Sequence, residues 1–221
     1  MARIWSEQVI DLSTIEANPD IRYGWYLRPS YAMSRAQAEM HDLLERQFGL
    51  TGGGVFMPHA TLKGFFRSDA PVSEIEAAFD RAVAGHQPFT VYNGGPVGWG
   101  RGSVVIDIQH TPDGETNAAL QSLHEAGWKE IAPLVHPACT FTPIEGAMQN
   151  FRAHLTLAMA DLREEFFDEV MAFISEAGLI GPETFIAEYV HLFAFRSDDW
   201  TGRWWETLEW SLMRNWRLGE A

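Results

Sequence analysis

His59-Ala60-Thr61-Leu62 and His154-Leu155-Thr156-Leu157 carry one pattern, His-x-Thr-Leu, twice in a chain of 221 residues. With eight histidines available, chance supplies roughly 0.4 copies of His-x-Thr, and about 0.03 once Leu must follow. Each copy sits inside a short run of apolar and polar residues that reads as a strand: 59–66 for the first, 151–160 for the second. Two copies in corresponding strands point to an internal duplication, so the chain is read as two related halves.

The flanking sequence supports that reading. Arg22 to Arg28 forms an aromatic-rich strand stopped by Pro29. Ser34 is expected to cap a helix ending near Gly49. Ser73 and Glu76 have capping-box spacing at the start of a second helix after Pro71, and Phe89 to Tyr92 is a third strand. The series then repeats: a strand at 103–110, a helix within 111–134, the second motif strand, a helix at 162–177 closed by Gly178, and a strand at 185–195. Residues 1–20 lack periodicity and read as a loose arm. The tail from Trp200 to Leu218, with five of the nine tryptophans, reads as a further strand or hairpin covering a sheet edge.

Strand alternation places the chemistry, because side chains two apart share a face. His59, Thr61, Lys63 and Phe65 are expected on one face, with Leu62 on the other. Arg152, His154, Thr156 and Ala158 are expected together, with Leu155 and Leu157 opposite. Burying two histidines and two threonines without partners is costly, so their face is expected to line a cleft while the leucines pack against helices. Two histidines, two threonine hydroxyls, Lys63 and Arg152 suit a phosphodiester. One histidine accepts a proton while the other donates one, the hydroxyls bond the non-bridging oxygens, and the cations stabilise developing charge. Tyr26, sharing a face with Gly24 and Arg28, and Phe65 are candidates to stack on a base. His191 and Phe193 are further candidates for the cleft border.

Composition narrows the partners. Thirty acids against sixteen bases give a net charge of −14, and Lys63 and Lys129 are the only lysines. Such a chain is not expected to coat long duplex nucleic acid, which selects a basic face. One cysteine, Cys139, excludes a disulfide framework and a cysteine-based zinc site. No apolar run approaches the roughly 20 residues of a membrane span, and the N-terminus lacks a signal-peptide core. A cytoplasmic monomer is expected. The glycine runs at 52–54 and 94–102 match neither a phosphate-binding loop nor a dinucleotide fingerprint. His41 and His124 fall on helices and read as surface or groove positions, while His86, His110 and His136 lie near turns.

On the two His-x-Thr-Leu motifs the chain resembles the two-histidine (2H) phosphoesterases, also called the LigT-like or 2′-5′ RNA ligase-like family. The resemblance runs from about Arg22 to Leu218 and leaves the N-terminal arm outside it. It implies an α+β fold of two pseudo-symmetric antiparallel sheet and helix lobes around a central cleft. All 221 residues then form a single bilobal unit: an arm at 1–20, one lobe from about 21–92 plus the C-terminal strands, and a second lobe from about 93–195. The family's catalytic positions fall on His59, Thr61, His154 and Thr156, with substrate binding expected from Lys63, Arg152, Tyr26 and Phe65. No metal and no cofactor is implied. The implied chemistry is hydrolysis of 2′,3′-cyclic phosphates, cyclic nucleotides or messengers, 2′-5′-linked oligonucleotides or RNA ends. The alternative is a non-catalytic module that binds a nucleotide or RNA end. RNA joining has no nucleotide-activating motif to support it. The long 107–151 connection, with His136 to Cys139, departs from a minimal family member.

Overall fold

The computed structural model describes residues 10–16, 18–139 and 151–220. Nine strands and four α-helices follow one another as β1 (Ile21–Arg28), α1 (Tyr31–Phe48), β2 (Ala60–Phe66), α2 (Val72–Val83), β3 (Phe89–Tyr92), β4 (Pro96–Trp99), β5 (Ser103–Asp107), α3 (Ala118–Ile131), β6 (His154–Ala158), α4 (Phe167–Glu176), β7 (Thr184–Ala187), β8 (Tyr189–Arg196) and β9 (Glu209–Arg217). Seven strands make one sheet in the order β4-β5-β6-β2-β1-β8-β9, while β3 and β7 pair separately. All pairings are antiparallel.

This order carries the duplication. The two motif strands, β2 and β6, are neighbours at the middle of the sheet, flanked by the corresponding strands β1 and β5, and the corresponding strands β3 and β7 pair with each other. The first helix of each half crosses to the other half's motif strand: α1 packs on β6 and α3 on β2. The helices cover one face. Leu27, Ala60, Leu155 and Ile106, aligned across four adjacent strands, all enter one core with Met33 and Leu44 of α1, Phe79 of α2, Leu123 of α3 and Val170 of α4. Gly127 lets α3 approach closely, because a Cβ there would collide with the Trp25 ring.

Several local expectations change. The N-cap of α1 is Ser30 rather than Ser34, its side chain accepting from the Met33 amide at 3.3 Å. The Ser73–Glu76 capping box does not form, because Pro71 precedes the helix at Val72, and Glu76 instead meets Arg214 at 3.2 Å. The expected strand at 185–195 is two strands, and they part company. β7 joins β3, whereas β8, assigned by sequence to the second lobe, lies beside β1. The tail forms β9 at the sheet edge against β8. Within the 1–20 arm, Ile10 and Ile15 are buried in the core while residues 11–14 and 16 are exposed, so the arm is tied down at two points rather than loose throughout. Residues 1–9 and 17 of that arm lie outside the described residues, as do residues 140–150 of the long connection.

Candidate active site

β2 and β6 pair at one register, Ala60 opposite Leu155. Counting one residue either way sets His59 across from Thr156 and Thr61 across from His154. Each histidine therefore faces the other motif's threonine on the sheet face away from the helices.

Both histidines are held in the same way. Nδ1 of His59 lies 2.8 Å from the Met57 carbonyl, and Nδ1 of His154 lies 2.7 Å from the Arg152 carbonyl. A carbonyl only accepts, so each neutral ring carries its proton on Nδ1 and presents Nε2 as an acceptor. Among the described residues no protein group bonds either Nε2. His59 is buried, 7% exposed, between the Phe56 ring stacked at 4.6 Å and the edge of Tyr26 at 4.7 Å. His154 lies against Trp99 at 4.2 Å. Thr61 is half-buried and Thr156 buried.

Burial sets the protonation. It pushes His59 down to about 4, opposed by the Met57 hydrogen bond and reinforced by repulsion from His154 and His41. His154 is also lowered by burial, but its Arg152 hydrogen bond and the Asp107 carboxylate pull the other way. Asp107 pairs with His154 across β5 and β6. The two rings therefore sit in unlike surroundings: a carboxylate, Asp107, favours the positive form of His154, and His59 has no such neighbour among its causes.

Strict alternation fails just after each motif. In the β1–β2 ladder Tyr26 faces Thr61 while Trp25 faces Lys63, so Leu62 is an extra residue. In the β5–β6 ladder Val105 faces Thr156 while Val104 faces Ala158, so Leu157 is extra. The same bulge follows each threonine, and it turns the next two residues toward the helices. Lys63 consequently leaves the face expected for it. It is buried, with its Nζ 5.7 Å from the Phe66 ring, 5.6 Å from the Trp128 ring of α3 and 3.4 Å from the Gly64 carbonyl. Ala158 likewise joins the core.

The bulges leave carbonyls that the ladder does not satisfy, and the crossing helices satisfy them. Gln37 Nε2 and His41 Nε2, both from α1, each lie 2.8 Å from the Thr156 carbonyl. His124 Nδ1, from α3, lies 2.6 Å from the Leu62 carbonyl, its ring stacked on Phe151 at 3.8 Å. His41 and His124 are thus neither ordinary surface nor groove residues. His124 is 2% exposed.

The other expected residues divide. Arg152 is exposed at the mouth of β6, beside His154. Tyr26 and Phe65 do lie on the open face, but as buried members of an aromatic cluster with Phe56, Phe193, Phe195 and Trp204. Tyr26 thus walls His59 rather than offering a free ring face. Gly24 makes this possible, since a Cβ there would collide with the Tyr26 hydroxyl. His191 and Phe193 do belong to the open face: His191 pairs with Tyr26 across β1 and β8. Sequence reasoning did not single out Phe56, Trp99 or Asp107. The stretch Val55-Phe56-Met57 before His59 was the one available signal for the first.

The 2′-5′ RNA ligase superfamily model matches residues 33–199, and the chain belongs to that superfamily. Solved structures agree on the fold. E. coli LigT complexed with ATP superposes with a TM-score of 0.53 at 12% identity, covering 91% of this chain and 99% of that one. E. coli LigT complexed with NADP+ gives 0.52 at 16%, and a structure described as a phosphoesterase gives 0.51 at 16%, each with the same coverage. The architecture is therefore that of the LigT-like 2H phosphoesterases. No curated protein matches the chain at a significant level. No helix among the described residues is long and apolar enough to cross a membrane. Among the same residues, no cluster of three or more His, Cys, Asp or Glu side chains is placed to hold a metal ion.

Proposed function

We propose that the chain is a phosphodiesterase that hydrolyses a cyclic or 2′-5′-linked nucleotide, a cyclic oligonucleotide or an RNA end by general acid–base catalysis between His59 and His154. The observation that carries this reading is the paired pose: both rings are fixed through Nδ1–H to the carbonyl two residues earlier, which leaves both Nε2 atoms as acceptors on neighbouring strands.

On this reading His59 is the base and His154 the acid, supported by the Asp107 carboxylate that favours protonated His154. His59, held at about 4, is neutral near neutral pH and takes a proton from water on Nε2 as the water oxygen attacks phosphorus. His154, beside Asp107, gains a proton when the anionic diester enters and delivers it from Nε2 to the leaving ribose oxygen as the P–O bond breaks. The hydroxyls of Thr61 and Thr156 donate to the non-bridging oxygens, which carry the added charge in the transition state. A phosphomonoester leaves, and the two rings exchange protons with solvent to reset.

The test is a panel of 2′,3′-cyclic, 3′,5′-cyclic, cyclic di- and trinucleotide and 2′-5′ oligoadenylate substrates in excess EDTA. Wild type runs beside His59→Ala, His154→Ala and the double variant. Turnover that persists in EDTA and falls by about 10²–10⁴ in each folded single variant is expected. Binding without turnover in wild type would make the chain a nucleotide-binding module, and turnover abolished by EDTA would overturn the two-histidine mechanism.

A further inference from the structure

A cavity of about 320 Å³ opens where β1 passes into α1, lined by Arg28, Ser30, Tyr31, Ile186, Glu188 and Tyr189 among others. It adjoins the active site through the strand register. Leu27 faces Ala60, so the next position outward sets Arg28 beside His59 on the same open face. On its other side Arg28 pairs with Tyr189 of β8.

Three features distinguish this cavity. First, its arginine is uncommitted. Most described arginines lie within ion-pair distance of a carboxylate, as Arg35 does with Glu39 and Arg101 with Asp168. Arg28 has no carboxylate partner among the described residues. Its guanidinium carbon lies 3.9 Å over the centroid of the Tyr189 ring, a cation–π contact that leaves its N–H donors for an acceptor. In a chain of net charge −14, Arg28 shares this lack of a carboxylate partner with Arg152, the exposed cation beside His154. Second, Tyr31 stands at the rim 82% exposed and Ile186 at 49%, so an aromatic face is open where the buried Tyr26 and Phe65 offer none. Third, Glu188 in the wall disfavours a multiply charged ligand such as a polyphosphate, while it can accept from a ribose hydroxyl or a base amine.

We propose that this cavity is a second nucleotide subsite: Arg28 pairs with the phosphate adjacent to the scissile one, and Tyr31 stacks on the base of that neighbouring nucleotide. The preferred substrate is accordingly at least two nucleotides long, rather than a cyclic mononucleotide. The proposal rests on the phosphodiesterase reading of the cleft for the scissile phosphate, but the cavity's own binding is measurable without turnover.

The experiment uses product-like ligands, which are not consumed. Calorimetry compares 2′-AMP with ApA carrying a terminal phosphate, in 3′-5′ and 2′-5′ linkage, on wild type, Arg28→Ala and Tyr31→Ala. Both substituted side chains are on the surface, and circular dichroism confirms the fold of each variant. Wild type is expected to bind one of the dinucleotides roughly tenfold or more tightly than 2′-AMP, the scale of one stacked base with one phosphate contact. Each variant is expected to lose most of that advantage and leave 2′-AMP binding unchanged. Equal affinity for mono- and dinucleotides in wild type overturns the subsite, as does an advantage that survives both substitutions, or no measurable binding of any ligand. Turnover of cyclic mononucleotides with no dinucleotide advantage would leave the phosphodiesterase standing without the subsite. An Arg28-dependent advantage in a protein that cleaves nothing would leave the subsite standing without the phosphodiesterase.

Discussion

His154 faces Asp107 across β5 and β6, whereas His59, its counterpart in the other half, is enclosed by the rings of Phe56 and Tyr26. A duplicated motif thus ends in two unlike surroundings, one with a carboxylate and one apolar. Duplication supplies the pair of imidazoles, and on the proposed mechanism the divergence of their neighbours is what separates a base from an acid.

The first consequence is a rate profile displaced to the acid side of neutrality. The free enzyme needs His59 neutral, which holds above about 4, and His154 protonated, which holds below a value that burial depresses from the ordinary 6.5. On the proposed mechanism the alkaline limb of kcat/KM is therefore expected below the ordinary 6.5, with the two rings titrating as a coupled pair. Bound phosphate favours both protonated rings, so the kcat profile is expected to shift upward. Asp107→Asn removes the charge that favours protonated His154 and is expected to draw the alkaline limb of kcat/KM downward. An alkaline limb unmoved by Asp107→Asn, with chemistry rate-limiting, would count against His154 as the acid.

Stability is expected to fall with acid before the carboxylates protonate. His191 is pushed down to about 4 by burial and by the nearby Arg28, and its Nε2 is buried without a partner. A histidine whose folded value lies below its unfolded one contributes stability that is complete above about 6.5 and is lost as pH falls toward 4. Urea unfolding of wild type and His191→Asn across that range tests this. The free energy of the variant is expected to depend less steeply on pH. Parallel pH dependences would exclude His191 as a source of the acid sensitivity.

Lys63 and Arg152 were paired by sequence as phosphate-binding cations, and the structure separates them. Lys63→Met is expected to leave kcat/KM within about threefold of wild type, because the side chain lies on the helix side of the sheet. Arg152→Ala is expected to raise KM and to weaken its salt dependence. Equal losses in kcat from the two substitutions would restore the sequence-based pairing.

The motif strands were legible in sequence because His, Thr and Leu repeat at strand spacing, and an open His-Thr face against a packed Leu face follows from alternation. The bulges were not legible. Leu62 and Leu157 occupy the extra positions, and leucine reads the same whether it sits in a regular ladder or a bulge. Lys63 was misplaced by that single added residue. The place of β8 beside β1 is not legible for a related reason. Thr184 to Arg196 is continuous in apolar pattern, and nothing local says that the chain changes sheets between Ala187 and Tyr189. The crossing of α1 and α3 is a property of tertiary contacts, so the roles of Gln37, His41 and His124 are not legible in the local sequence.

Those crossing contacts give the last expectation. The Leu62 carbonyl accepts from His124 at 2.6 Å, and this bond anchors the bulge immediately after Thr61. His124→Ala deletes the donor, opens a void beside Phe151 and leaves a buried carbonyl unpaired. A loss of roughly 2–4 kcal/mol is expected from thermal or urea unfolding. His124→Asn keeps a short N–H donor and is expected to recover part of it. Activity separates anchoring from bulk stability. If the bond positions His59 and Thr61, kcat falls at temperatures where the Ala variant is fully folded, while KM changes little, and Asn restores rate and stability together. Gln37→Met on α1 is the matching test for the Thr156 carbonyl, bonded at 2.8 Å. It is expected to act less, because His41 donates to the same oxygen. A His124→Ala enzyme that melts early yet turns over at the wild-type rate below its transition would reduce this contact to packing alone.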